Sequence, residues 1–421
     1  MSEKQIFAAI EASDHEIRLV IGEFFNTRFN IIKVERIPCS GLTFSEVKDP
    51  DAVSASIRKA VEEAKKMISA DIRMVILAVP SYRMKRYSVK TTVDIRGIDG
   101  VVTTQDVKTA LSRAMQTKVD PSLVVVQSVP VKYTVNGVSS KRMPLDERCD
   151  EMTVDVDLLC ADKKLTFDLV ECVENTGLKV MDVFLDIYAV GKEAALYEQA
   201  NDHQIIVLKV EREATTLGLI RKGRLTTAAI LPAGIGTIAG AITEKYSDIS
   251  SEMAVELLLY SARLNQTVCS SNPVHIWSEN GETRTISEQE LVDCVRDYVN
   301  LWLDSIEKTC IPILQAGPTA VMITGEGGET EGLDDLVSER LHVETQTYIP
   351  ETLGGRNAGL TACLGLFYAY QDRLPITGYE DESLDMDAFI NAVSYREGSD
   401  ENKEDTLTDK LKGLFLEGKK N

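Results

Sequence analysis

Long apolar runs are missing from this chain of 421 residues, and none approaches the roughly 20 residues that span a bilayer. Paired cysteines are missing as well. The eight thiols, at positions 39, 149, 160, 172, 269, 294, 310 and 363, include no CxxC, and several sit among apolar neighbours. That distribution speaks against zinc ribbons and dithiol redox chemistry and reads as buried, reduced cysteines of a cytosolic protein. Histidine is scarce, and His15, His203, His275 and His342 show no metal-ligand spacing. Basic charge is in deficit: 46 Lys and Arg face 66 Asp and Glu, a net charge of -20. Sequence-independent nucleic-acid binding needs clustered cations to displace counterions, so no nucleic acid is expected as a partner. The start, MSEKQIFAAIEASD, lacks the apolar core of a signal peptide and leads into a strand.

What is present is ordinary globular composition, 44% hydrophobic and 27% charged, over a length that one core rarely serves. Two or more lobes are expected. The most informative stretch is Gln204 to Gly236, QIIVLKVEREATTLGLIRKGRLTTAAILPAGIG. It predicts strands at Ile205 to Val210 and Leu217 to Ile220 and a third running into Pro232, then a helix from Gly236 to Tyr246. Strand, tight turn and strand with hydroxyls at the tip is an arrangement that grips a phosphate tail, and Thr215 and Thr216 stand where those hydroxyls belong. The turn itself, Glu211-Arg212-Glu213-Ala214, lacks glycine and carries two carboxylates.

The first part of the chain predicts strands at Ile6 to Ile10, Ile17 to Gly22 and Phe29 to Arg36, a helix from Asp51 to Ala70, and a doubly buried strand at Met74 to Val79. From Tyr87 to Asp162 a compact α+β insertion follows. It holds a helix opened by Thr104, strands at Leu123 to Val129 and Val131 to Val135, a hairpin signal at Asn136-Gly137 and an alternating strand at Thr153 to Cys160. A helix from Lys164 to Asn175, a strand from Lys179 to Leu185 and a helix from Ala189 to Ala200 rejoin the first lobe. The second lobe carries its own insertion: a helix at Ser251 to Asn265, a hairpin signal at Asn280-Gly281, and a Ser287/Glu290 capping box opening a long helix. It then returns through Ala320 to Ile323, the loop Thr324-Gly325-Glu326-Gly327-Gly328, and helices at Leu333 to Arg340 and Ala358 to Arg373.

In this order the chain resembles FtsA, the actin-like bacterial division family. EASDHEIRLVIGE (Glu11 to Glu23) lies where that family has its first phosphate turn, and VVVQSVPVKYTVNG lies in its inserted 1C subdomain. Residues 204 to 236 match its second phosphate hairpin, TGEGGETEGLDDL (Thr324 to Leu336) its adenosine loop, and Asp405 to Lys420 its C-terminal membrane helix. The resemblance implies an α/β, actin-like (RNase H-like), two-lobed fold. Its divisions are 1A at 1-83 and 165-200, 1C at 84-164, 2A at 201-240 and 312-375, and 2B at 241-311. An acidic flexible linker at 376-404 and an amphipathic helix at 405-421 complete the chain. Candidate nucleotide-binding residues are Glu11, Ser13, Asp14, Glu211, Thr215, Thr216, Gly325, Glu326, Gly327 and Gly328, with ATP and Mg²⁺ as the implied ligands.

Departures from the family pattern fall on the phosphate turns. Glu11 stands for an Asp that holds hydrated Mg²⁺, and Ser13 replaces a glycine. In the second turn the expected Asp aligns with Val210, or with Glu211 if one residue is gapped. Leu258, near Glu256, stands at the position of an adenine-pocket Lys. Both turns thus lack what a tightly held Mg-ATP needs, so hydrolysis is expected to be weak or absent and no catalytic residue or metal ligand is assigned.

The tail, DTLTDKLKGLFLEGKK, places Leu407, Leu411, Leu414 and Phe415 on one helical stripe beside Leu416, with Lys410 and Lys412 flanking it. That pattern suits an anionic membrane surface, the alternative being a helix docked on the protein's own core or on a partner. The resemblance implies self-assembly into filaments and partners that include FtsZ, other division proteins and anionic lipid at the cytoplasmic face of the bacterial membrane, at the division site. The alternatives are an active ATPase whose cycle drives assembly and a PilM-like assembly scaffold.

Overall fold

The computed structural model describes residues 4-378, apart from 27, 97, 98, 267, 280 and 281, together with Ser383 and Leu384. The first lobe opens with β1 (Lys4–Ala12), β2 (Glu16–Phe25) and β3 (Arg28–Pro38), followed by α1 (Pro50–Ile68) and β4 (Met74–Val79). Asp49 accepts a hydrogen bond from the Ala52 amide and caps α1, with Pro50 at the first helical position where its missing N–H costs nothing. The inserted unit contains β5 (Lys85–Asp94), α2 (Thr104–Met115), β6 (Leu123–Val135), β7 (Val138–Ser140) and β8 (Glu151–Asp162). Thr103, one residue before the expected opener, is the cap of α2. The two strands expected at 123–135 are one. β6 runs through Pro130 because irregular pairing between Val125 and Gln127 and between Pro130 and Lys132 absorbs the missing N–H.

The chain returns through α3 (Lys163–Glu174), β9 (Lys179–Leu185), α4 (Asp186–Glu193) and α5 (Leu196–Gln199). The single helix expected at 189–200 is broken, because Ala195 adopts a left-handed conformation with φ 51°. The second lobe then repeats the opening with β10 (Gln204–Val210), β11 (Thr215–Arg221) and β12 (Arg224–Leu231). Next come α6 (Ile235–Lys245), α7 (Ser251–Ser261), the hairpin β13 (Pro273–Glu279) and β14 (Glu282–Ser287), and α8 (Glu288–Leu314). Ser287 and Glu290 form the expected capping box at the start of α8. Finally β15 (Thr319–Thr324), α9 (Leu333–Leu341), β16 (Thr345–Thr347) and α10 (Thr361–Thr377) close the fold.

The two main sheets share one plan. Their orders are β3-β2-β1-β4-β9 and β12-β11-β10-β15-β16: three antiparallel strands followed by two parallel ones. Side-chain alternation along β10 divides this strand between two cores. Ile205 and Val207 join the core that fills the first lobe, whereas Ile206, Leu208 and Val210 pack with α6, α7, α8 and α9. By the same parity Lys209 and Glu211 face the first lobe. The lobes also meet through apolar atoms, since α4 lies on β11 so closely that a Cβ at Gly218 would come within 2.2 Å of Ile187.

At the C-terminal end, Thr377 still belongs to α10. Ser383 accepts hydrogen bonds through its carbonyl from the Arg73 and Met74 amides, and Leu384 is buried beside Ile72. The stretch expected to be linker from residue 376 therefore includes packed structure at 376–377 and 383–384. Residues 385–404 and the tail residues Leu407, Lys410, Leu411, Lys412, Leu414, Phe415 and Leu416 lie outside the described residues, as does the expected turn at 280–281. Among the described residues no helix is long and apolar enough to cross a membrane.

Candidate functional site

The β1–β2 and β10–β11 turns face each other across the cleft, and they are built alike. The Ser13 amide donates to the Glu16 carbonyl and the Glu211 amide to the Ala214 carbonyl, both at 2.9 Å. Neither turn contains a residue of positive φ, which is why both close without glycine. The turns are bonded to each other. The Asp14 carboxylate accepts from the Glu213 amide at 2.7 Å and holds the His15 ring at 2.9 Å.

Beneath the turns lies a buried ionic network. Arg18, fully buried on β2 and paired across the ladder with Glu11, donates through two nitrogens to both oxygens of Glu211, at 2.9 and 2.7 Å. It also donates to Glu16 at 2.6 Å and to Glu11 at 3.3 Å. Lys209 donates to Glu11 at 2.5 Å and to Asp186 at 3.0 Å. Asp186 is held in turn by the amides of Ser81 and Ile187 and by the Ser81 hydroxyl. Burial opposes the charge of Arg18, yet Glu211, Glu11 and Glu16 outweigh it and raise its pKa well above the usual value.

At the rim, Glu326 accepts from Arg212 at 3.0 and 3.1 Å and faces the other nitrogen of His15 at 3.1 Å. Burial favours neutral Glu326, but His15 and Arg212 prevail and hold its carboxyl far below the usual range. For His15, burial favours the neutral ring, but Asp14 and Glu326 outweigh it and raise its pKa to about 9. Its folded value exceeds the ordinary 6.5, so the stability it contributes is fully present below pH 6.5 and is lost as pH rises through about 9. The thermal midpoint of the wild type should therefore fall between pH 7 and 9.5, and His15→Gln should flatten that slope; parallel curves would contradict the assignment.

The remaining candidates serve the fold. The Thr215 hydroxyl donates to the Ala233 carbonyl at 2.7 Å and accepts from the Trp302 indole at 2.9 Å. Ser13 leans on His15 at 3.3 Å, and Thr216 lines a cavity of about 30 Å³ with Glu11, Ser13, Asp14, Asp186, Lys209 and Glu211. Gly325, at φ 87°, packs so tightly that a Cβ would lie 2.5 Å from the Val210 carbonyl oxygen. Gly327 rests on Val210 and Ile235, and Gly328 is buried. At the start of α6 the Ile235 and Gly236 amides, which a phosphate could use, donate to the Glu211 and Arg212 carbonyls.

These residues do not fit a metal-bound nucleotide. A 30 Å³ space is the share of about one water molecule, against hundreds of cubic ångströms for nucleotide-sized ligands. Four carboxylates line it, with Lys209 as the one lining cation. Asp14, His15 and Glu211 each bring a ligand atom within 4.8 Å of the others, but Glu211 is committed to Arg18 and Asp14 to His15 and the Glu213 amide. A hard cation such as Mg²⁺ prefers oxygen ligands and retained water, for which this packed trio offers no room. A cavity of about 460 Å³ lies away from the turns, between β6, α4, α5 and the β11–β12 turn. The turn residues were legible in the sequence as candidates; Arg18, Lys209, Glu16, His15 and Asp186, which complete the network, were not. The available signal was a cation inside each of two otherwise apolar strands, LVIG after Arg18 and IIVL before Lys209.

Two sheets of identical order meeting at paired turns define an actin-like fold, and solved structures agree. The chain is similar to a chain of the PilM-PilN type IV pilus biogenesis complex (TM-score 0.57, 16% identity, covering 86% of this chain and 97% of that one). It is also similar to MreB5 of Spiroplasma citri in its ADP-bound form (TM-score 0.50, 9% identity, 89% and 99%). No protein-family model matches. In sequence it is similar to cell division protein FtsA of Bacillus subtilis, 21% identical over 369 residues that cover 87% of this chain and 83% of that protein. Against FtsA of Enterococcus hirae it is 20% identical over 440 residues, 99% of each. The chain is an FtsA-like actin-fold protein.

Proposed function

We propose that this chain is a cell-division adaptor. Its actin-like body assembles into filaments with copies of itself, binds FtsZ, and attaches it to the cytoplasmic face of the membrane at the division site through residues 405–421. The observation that carries this reading is the extent of the similarity to FtsA, which in one relative takes in 99% of both chains and so includes the tail. By the same resemblance the 241–311 segment offers the FtsZ surface, and the 84–164 insertion contacts neighbouring copies and other division proteins. ATP hydrolysis is weak or absent in this reading, because the turns bond to each other and to buried cations; Mg-ATP would enter only an opened form of the cleft.

A short amphipathic helix inserts weakly, since interfacial burial recovers less than the roughly 1.5–3 kcal/mol of full burial per large apolar side chain. Many tails on one filament multiply that affinity through effective concentration. The test is co-flotation: the full chain should carry FtsZ to vesicles containing anionic lipid, and deletion of residues 406–421 should leave both in solution. Retained binding after deletion contradicts the tether. Binding to vesicles without FtsZ favours a PilM-like scaffold, whose fold this chain shares.

A further inference from the structure

The ionic contacts of the cleft cross from one lobe to the other, and they consume the groups that would bind phosphate. Arg18, Glu11, Asp14 and Asp186 belong to the first lobe; Lys209, Glu211 and the Glu213 amide belong to the second. A guanidinium binds phosphate and carboxylate with the same two-pronged geometry, and here both prongs are satisfied by Glu211 at 2.9 and 2.7 Å. The Glu211 carboxylate thus occupies the place of an anionic ligand, and Lys209, shared between Glu11 and Asp186, occupies the place of a bridging cation. The turn tips above this pair are joined by the Asp14 carboxylate, which accepts from the Glu213 amide at 2.7 Å.

We infer that the chain is its own ligand: the Arg18–Glu211 and Glu11–Lys209–Asp186 bridges do the work that the family resemblance assigns to a metal-bound nucleotide, and they hold the lobes closed without one. A ligand shifts an opening equilibrium only by its differential affinity for the two states. Mg-ATP, which has no space in the closed cleft, can bind only by breaking these bridges. Closure, and whatever assembly depends on closure, is then insensitive to nucleotide. This inference concerns the cleft alone and stands or falls independently of the tail and of FtsZ.

Two measurements on the full chain test it. Titration with Mg-ATP carrying a fluorescent ribose label should show no saturable binding up to about 1 mM. Hydrogen exchange in segments 11–18 and 209–215 should be unchanged by Mg-ATP in the wild type, whereas Glu211→Gln should accelerate it at least about tenfold as the lobes part. Arg18→Lys, which keeps the charge but loses the fork, is the second variant and should accelerate the same segments, by less. Saturable Mg-ATP binding with added protection in these segments overturns the inference. So does unchanged exchange in whichever of the two variants folds.

Discussion

Replacing Arg18 with methionine should destabilise the protein by about 3–5 kcal/mol, the range for removing one partner of a buried ion pair. The side chain is fully buried and serves three carboxylates, Glu11, Glu16 and Glu211, which would be left facing one another across the lobe boundary. Methionine nearly preserves the volume, so the loss reports the stranded charges rather than a cavity. Urea unfolding measures it directly as a fall in midpoint. Adding Glu211→Gln to Arg18→Met should recover part of the loss, because one stranded charge is then removed, and the two substitutions should be strongly non-additive. A loss below about 1 kcal/mol would mean that water reaches the cleft and the pairs behave as exposed ones.

The second large effect is expected at Trp302. Its ring, on α8, is one of the largest fully buried side chains, and its indole N–H donates to the Thr215 hydroxyl. Trp302→Ala should cost about 3–5 kcal/mol through lost burial and an unfilled cavity. Trp302→Phe keeps much of the ring and gives up the hydrogen bond. Thr215→Val, which strands the indole N–H and the Ala233 carbonyl, should cost about 1–3 kcal/mol. Differential scanning calorimetry of the three variants separates these contributions. A Thr215→Val protein as stable as the wild type would return the hydroxyl to service as a ligand group, against the role its two partners give it.

Much of the fold could be read from the chain because local signals and tertiary packing agree. The hairpins around 13–16 and 211–214, the doubly buried Met74–Val79 strand and the Ser287/Glu290 cap all appear where periodicity and turn chemistry place them. Disagreement arises where one local rule yields to a contact that sequence does not display. Pro130 marks a break only if its missing N–H is unaccommodated, and irregular pairing accommodates it. Ala195 carries no helix-ending signal, yet it turns left-handed between α4 and α5.

The cleft was half legible. Its turns announced themselves through hydroxyls and carboxylates at fixed offsets, and their lack of glycine agrees with turns that need no positive φ. What satisfies those carboxylates comes from 193 positions away in the case of Arg18 and Glu211. A charged residue within an apolar strand shows that a partner exists without saying which. Only the parity of β10, which turns Lys209 and Glu211 toward the first lobe, together with the facing turns, pairs them.

Ser383 and Leu384 dock beside Ile72 and Arg73, immediately before β4. That point belongs to the sheet containing β4 and β9, in the first lobe, and has no strand in common with the second. Mechanically, this makes the molecule a lever with one loaded arm. A pull applied at Ser383 and Leu384 enters the fold at the start of β4. It reaches the opposite arm through several joints, among them the α4–β11 packing, the Arg18 and Lys209 bridges and the Asp14–Glu213 amide bond, and the strength of those joints sets how much pull the body transmits.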